Sequence, residues 1–130
     1  FPNDVIANRV HKIKLNNNSP DKYNNWNHNY KKSDNYIFLT GAGGVLYSPN
    51  CFYKDFLNVE LLKRICPTND DIWLNWMIKL NKRNVRFSGI TTNYELIKLI
   101  KSGLYKINVK KENNDIQINA MINEYGFPYK

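Results

Sequence analysis

The stretch that most constrains this chain runs from Pro67 to Met77 and reads PTNDDIWLNWM. A proline that can stop one helix is followed by Thr68 and Asn69, either of which can cap the next. Asp70 and Asp71 then occupy the first turn, and Ile72, Trp73, Trp76, Met77 and Leu80 recur at helical spacing. That stripe reads as a core face, not as a ligand box. The two acids admit two readings. Carboxylates in a first turn complement the helix dipole, worth ~0.3–1 kcal/mol each. Alternatively, one of them faces a cleft as a general base or metal ligand, and the same dipole favours its ionised form.

A second stretch, Leu39 to Asn50 (LTGAGGVLYSPN), is expected to meet the first in space. The strand Tyr36–Leu39 leads into Thr40-Gly41-Ala42-Gly43-Gly44 and then Val45-Leu46-Tyr47. Glycines this dense require positive φ or a close backbone approach. A dinucleotide fingerprint would need glycine where Leu46 stands, and no Gly-Lys-Ser/Thr follows for a phosphate loop. The local residues leave a β-bulge or tight turn and a loop whose amides bind a ligand equally open.

Around these stretches the pattern is mixed α/β, with short strands and three to four helices and no internal repeat, linker or second domain. Residues 4–15 read as a strand in which alternation can point Arg9 and His11 to one face. That face would be a phosphate or sugar contact, or the exposed polar side of an edge strand. Residues 16–35 read as a polar loop. Its Tyr23, Trp26, His28 and Tyr30 either stack on sugars or, the preferred reading, tie the loop to the body. Val59–Ile65 is a short helix, Asn81–Asn84 a turn and Val85–Ser88 a strand closed by Gly89. Tyr94–Lys101 reads as a helix and Leu104–Val109 as a strand. Asn113 or Asn114 caps a last helix that carries Ile118, Met121, Ile122 and Tyr125 before Gly126 and Pro128 stop it.

The chain opens on Phe1 and is expected to be a piece of a longer protein. Nineteen basic and eleven acidic residues give a formal charge of +8. That sign attracts nucleotide phosphates, anionic lipid or nucleic acid. The lysines are scattered, and no nucleic-acid motif occurs, so nucleic acid is not an expected partner. Cys51 and Cys66 form no CxxC pair and no zinc spacing with His11 or His28. They read as reduced, core or half-buried thiols, with a single disulfide as the alternative. No apolar run approaches the roughly 20 residues that span a bilayer. The expected location is the cytoplasm, with peripheral contact at the inner face of the cytoplasmic membrane open to it.

Together, Thr-Gly-x-Gly-Gly-Val-Leu-Tyr and Pro-Thr-x-Asp-Asp-Ile-Trp-Leu resemble bacterial glycosyltransferases of the GT-A type that build polysaccharides such as lipopolysaccharide or capsule. The C-terminal half of those enzymes carries GxGGVLYPP and P-x-A-D-D-x-W, and Asn114-Asp115-x-Gln117 is similar to a further segment of them. The resemblance extends from about Val5 to Tyr125. It implies the C-terminal, acceptor-binding portion of a Rossmann-like GT-A fold, forming one partial domain over residues 1–130.

The implied activity is transfer of a sugar from a nucleotide-sugar donor to a saccharide acceptor, with inversion. Carried over by position, Asp71 is the catalytic base and Asp70 binds or orients the acceptor. Gly43 and Gly44 line the acceptor or sugar pocket, and Trp73 packs under it. The family holds a divalent metal, Mn or Mg, on an Asp-x-Asp in its donor half. This chain contains no Asp-x-Asp and no histidine after His28, so no metal ligand is assigned within it. On this reading the donor half lies elsewhere and the stretch alone does not turn over. The alternative is a non-catalytic module that binds carbohydrate or a membrane surface.

Overall fold

The computed structural model describes residues 2–90 and 112–129. The helix expected at 94–101 and the strand expected at 104–109 lie outside the described residues. Within them the chain is mixed α/β, with small sheets and three helices. The strands are β1 (Val5–Ala7), β2 (Val10–Lys12), β3 (Leu15–Asn16), β4 (Ser19–Pro20), β5 (Asn27–Tyr30), β6 (Ile37–Leu39), β7 (Val45–Leu46) and β8 (Val85–Phe87). The helices are α1 (Val59–Ile65), α2 (Asp70–Leu80) and α3 (Asn113–Tyr125), with single 3-10 turns at Tyr23–Asn25 and Lys54–Leu57.

Residues 4–15, expected to form one strand, are divided among β1, β2 and the start of a hairpin. The break at Asn8 and Arg9 is set by a long-range contact. The Asn8 amide N–H donates to the Gly44 carbonyl (3.1 Å) and its side chain donates to the Gly43 carbonyl (2.8 Å). The chain is thereby held against the glycine stretch and passes from one sheet to the next. β1 lies between β7, antiparallel, and β8, parallel. β2 lies between β5 and β6, antiparallel to both. β3 and β4 form a separate hairpin.

The polar 16–35 segment is more ordered than its composition predicts, because its aromatics are anchored. Trp26 is buried, and Tyr23, Trp26 and His28 gather around His11 and Phe38 of the central sheet. The body-tying reading of these aromatics therefore holds. His11 does not lie on an exposed polar face. It is 2% exposed, its ring 4.3 Å from that of His28. Burial, followed by the charges of His28 and Arg9, lowers its pKa to about 3.

α2 is the hub of the core. Ile72, Trp73, Trp76 and Met77 pack with Ile65, Phe38, Trp26 and, from α3, Ile118 and Met121. Ile78 reaches a second cluster of Val5, Ala7, Val10, Ile37, Leu39 and Val85 beneath the strands. The helix is thus apolar on more of its circumference than the stripe alone indicates. Asn75 is fully buried within it. Leu39 stands opposite Val10 in the non-hydrogen-bonded register of β2 and β6, so its amide and carbonyl point off the sheet edge. The Asn75 side chain takes both: Oδ1 accepts from the Leu39 N–H and Nδ2 donates to the Leu39 carbonyl, each at 2.9 Å. Both cysteines are buried and unbridged. Among the described residues no helix is long and apolar enough to cross a membrane.

Candidate active site

The two motif stretches do meet. Of the two capping candidates, Asn69 is the residue used: its side chain accepts from the Asp71 N–H at 3.1 Å. Asp70, exposed in the first turn, stands where it complements the helix dipole. Asp71, one step further round, is half-buried and turned toward the glycine stretch. Its Oδ1 accepts a hydrogen bond from the Gly41 N–H at 3.0 Å.

The glycine stretch is a tight turn, the first of the two readings left open above, and its Gly41 amide is taken by the Asp71 carboxylate of the same chain. The Gly44 N–H closes it onto the Gly41 carbonyl (3.3 Å), with Gly43 at φ 92° and Gly44 at φ 101°. Positive φ at the third position of such a turn requires glycine. Gly41 is needed for a different reason, since a Cβ there would stand 3.1 Å from Asp71 Oδ1. The residue that touches the candidate base is thus Gly41. Gly43 and Gly44 shape the exposed turn beside it.

Burial raises the Asp71 pKa to about 6, and the neighbouring Asp70 charge pushes the same way. The Gly41 amide and the positive charge of Arg9 oppose the rise. A half-buried carboxylate in the first turn of a helix, with its pKa raised toward neutrality, has the protonation chemistry a general base needs. Tyr47 belongs to the same neighbourhood. Burial raises its phenol pKa, and the charges of Asp71 and Asp70 raise it further. Tyr47 and Asn8 are site neighbours that the motif spacing does not single out. Arg9, expected on a phosphate- or sugar-contacting or exposed polar face, adds its positive charge near Asp71. Tyr47 had a signal, since it stands directly after Val45-Leu46 at the exit of the glycine turn. Asn8 had none, because only the pairing of β1 with β7 brings it here.

Trp73 belongs to the core cluster around α2. It is 1% exposed, and its indole N–H donates to the Phe56 carbonyl at 3.3 Å. It therefore offers no surface to a ligand. Among the described residues no group of three or more His, Cys, Asp or Glu side chains is gathered to hold a metal ion.

The loop before α2 is held from the far side by α3. This helix starts without a side-chain cap, following Glu112 in the left-handed region, so neither asparagine plays the capping role expected of it. Asn114 instead accepts from the Asn69 side chain at 2.7 Å, and Gln117 bonds the backbone at Thr68 and Asn69. The Asp115 carboxylate accepts the Tyr23 N–H at 2.7 Å. No protein-family model matches this chain, and comparison with curated proteins and with solved structures finds no match.

Proposed function

We propose that this chain is the acceptor-binding, base-carrying part of an inverting GT-A glycosyltransferase that builds a bacterial surface polysaccharide in the cytoplasm. The observation that supports it best is Asp71 itself. It is a half-buried carboxylate with a pKa near 6, tethered by one oxygen to a backbone amide and bordered by an exposed glycine turn.

In the proposed step an acceptor hydroxyl lies over the glycine turn beside Asp71. With a pKa of about 6 the carboxylate is ionised in most molecules at pH 7, yet basic enough to draw a proton as the hydroxyl oxygen becomes nucleophilic. The oxygen attacks the anomeric carbon of the nucleotide-sugar, the C–O bond to the diphosphate breaks with its electron pair, and Asp71 keeps the proton. The Gly41 amide fixes the carboxylate so that its orientation need not be found anew in each turnover. Asp70 adds an exposed acceptor of hydrogen bonds for sugar hydroxyls. The divalent metal that GT-A enzymes use finds no ligand set among the described residues, so no step is derived through it.

The test is activity of the complete protein that carries this chain, assayed by release of nucleoside diphosphate from a panel of nucleotide-sugars with saccharide acceptors. Asp71→Asn should lower kcat by roughly 10²–10⁴, the usual size of general-base help, while donor binding persists. Full activity in that variant refutes the base assignment. Carbohydrate binding without turnover in the wild type would favour a non-catalytic module.

A further inference from the structure

The amides of Asn114 and Gln117 are costly features for a helix whose packing is already supplied by Ile118 and Met121. Both are buried, at 4% and 3% exposure. Gln117 spends its whole hydrogen-bonding capacity. Its Oε1 accepts the N–H groups of Thr68 and Asn69, each at 3.1 Å. Its Nε2 donates to Thr68 Oγ1 at 2.9 Å and to the Asn113 carbonyl, one turn back in its own helix, at 3.0 Å. Asn114 Oδ1 accepts from Asn69 Nδ2 at 2.7 Å, while Asn69 Oδ1 accepts the Asp71 N–H at 3.1 Å. An unbroken path of hydrogen bonds therefore runs from α3 to the backbone of Asp71. The segment it holds, Thr68–Asn69, is a hinge only in the sense that it leads directly into the first turn of α2 and carries its N-cap.

We infer that Asn114 and Gln117 are positioning residues that lock the Thr68–Asn69 hinge and thereby keep the Asp71 carboxylate seated against Gly41. The inference rests on the reading of Asp71 as the base, and adds a group on a distant helix that acts only through it. Neither amide touches Asp71. Their effect passes through Asn69, the cap at the centre of the path. Asp115 serves as an internal contrast. It lies on the same helix and also makes a long-range bond, to the Tyr23 N–H, but that bond leads away from Thr68–Asn69.

The test is the ionisation of Asp71, followed by carboxyl ¹³C NMR in the ligand-free complete protein. Gln117→Met keeps the side-chain volume and removes the clasp. Asn69→Gly cuts the path at its centre, and glycine is tolerated at helix N-caps, so folding is retained if Gln117→Met is lost to misfolding. Each is expected to let water reach the carboxylate and to lower its midpoint, near 6 in the wild type, by about one pH unit, a tenfold change in ionisation constant. Asp115→Asn should reduce stability and leave that midpoint in place. An unmoved midpoint in Gln117→Met or Asn69→Gly overturns the inference, as does an equal shift in Asp115→Asn. If the midpoints move as expected while Asp71→Asn retains full transferase activity, the positioning stands and the base assignment falls.

Discussion

Replacing Asp71 by asparagine should make the protein more stable at neutral pH, and the size of the gain can be worked from the site. The carboxyl titrates near 3.8 in an unfolded chain and near 6 in the fold. The native state therefore holds its proton more tightly than the unfolded state does. Between those two values the folded protein binds more protons than the unfolded one, so stability falls as pH rises through that window. A shift of about two units corresponds to ~3 kcal/mol of cost, complete above the folded value and absent below the unfolded one. Asparagine carries no charge to desolvate and still offers Oδ1 to the Gly41 N–H. The Gly41 bond to the carboxylate is already contained in that shift, which leaves a net gain of about 3 kcal/mol at pH 8. The measurement is urea unfolding of the wild type and Asp71→Asn at pH 4 and pH 8. The variant's advantage should grow by about 2–3 kcal/mol between the two. All other titrating groups are common to both proteins and cancel in that comparison. A constant difference, or one that shrinks as pH rises, would show that Asp71 ionises like an ordinary surface carboxylate and would remove the electrostatic case for its role.

Three further substitutions probe the same architecture. His11 is held neutral by burial, its pKa lowered from 6.5 to about 3, so the stability it contributes is present above pH 6.5 and lost as pH falls toward 3. Thermal melts at pH 7.5 and pH 4.5 should show less acid destabilisation in His11→Leu than in the wild type. Asn75→Leu strands the N–H and carbonyl of buried Leu39 and should cost ~2–6 kcal/mol, since each unmade buried bond costs ~1–3 kcal/mol, as read by the urea midpoint. Gly41→Ala places a methyl 3.1 Å from Asp71 Oδ1. It should displace the carboxylate and lower kcat with little change in melting temperature. If Gly41→Ala remains fully active, the Gly41–Asp71 bond has no part in the reaction.

The elements written into the sequence are those governed by local rules. The Ile72–Trp73–Trp76–Met77 periodicity, the proline and asparagine before it and the Gly126 stop are enough to place α2 and to end α3. The density of glycine at 41–44 is enough to announce positive φ. The split of 4–15 into strands of two sheets is not legible, because its cause lies 35 residues away, in the bond from Asn8 to Gly43. The burial of His11 is equally hidden. A histidine in an alternating strand faces water or core according to what covers it, and the cover is Tyr23 and His28 from a segment that reads as a polar loop.

The candidate site divides along the same line. Sequence alone determines that two acids open an amphipathic helix and that a flexible turn follows a strand, since capping, periodicity and φ are properties of neighbouring residues. Only the tertiary structure decides that Asp70 faces solvent while Asp71 meets Gly41, and that the carboxylate which meets it is pushed to a pKa of about 6. Desolvation is set by everything packed around a group, and the residues that act on Asp71 come from the link between β1 and β2, the glycine turn and, through Asn69, α3. No single stretch of the chain contains that information.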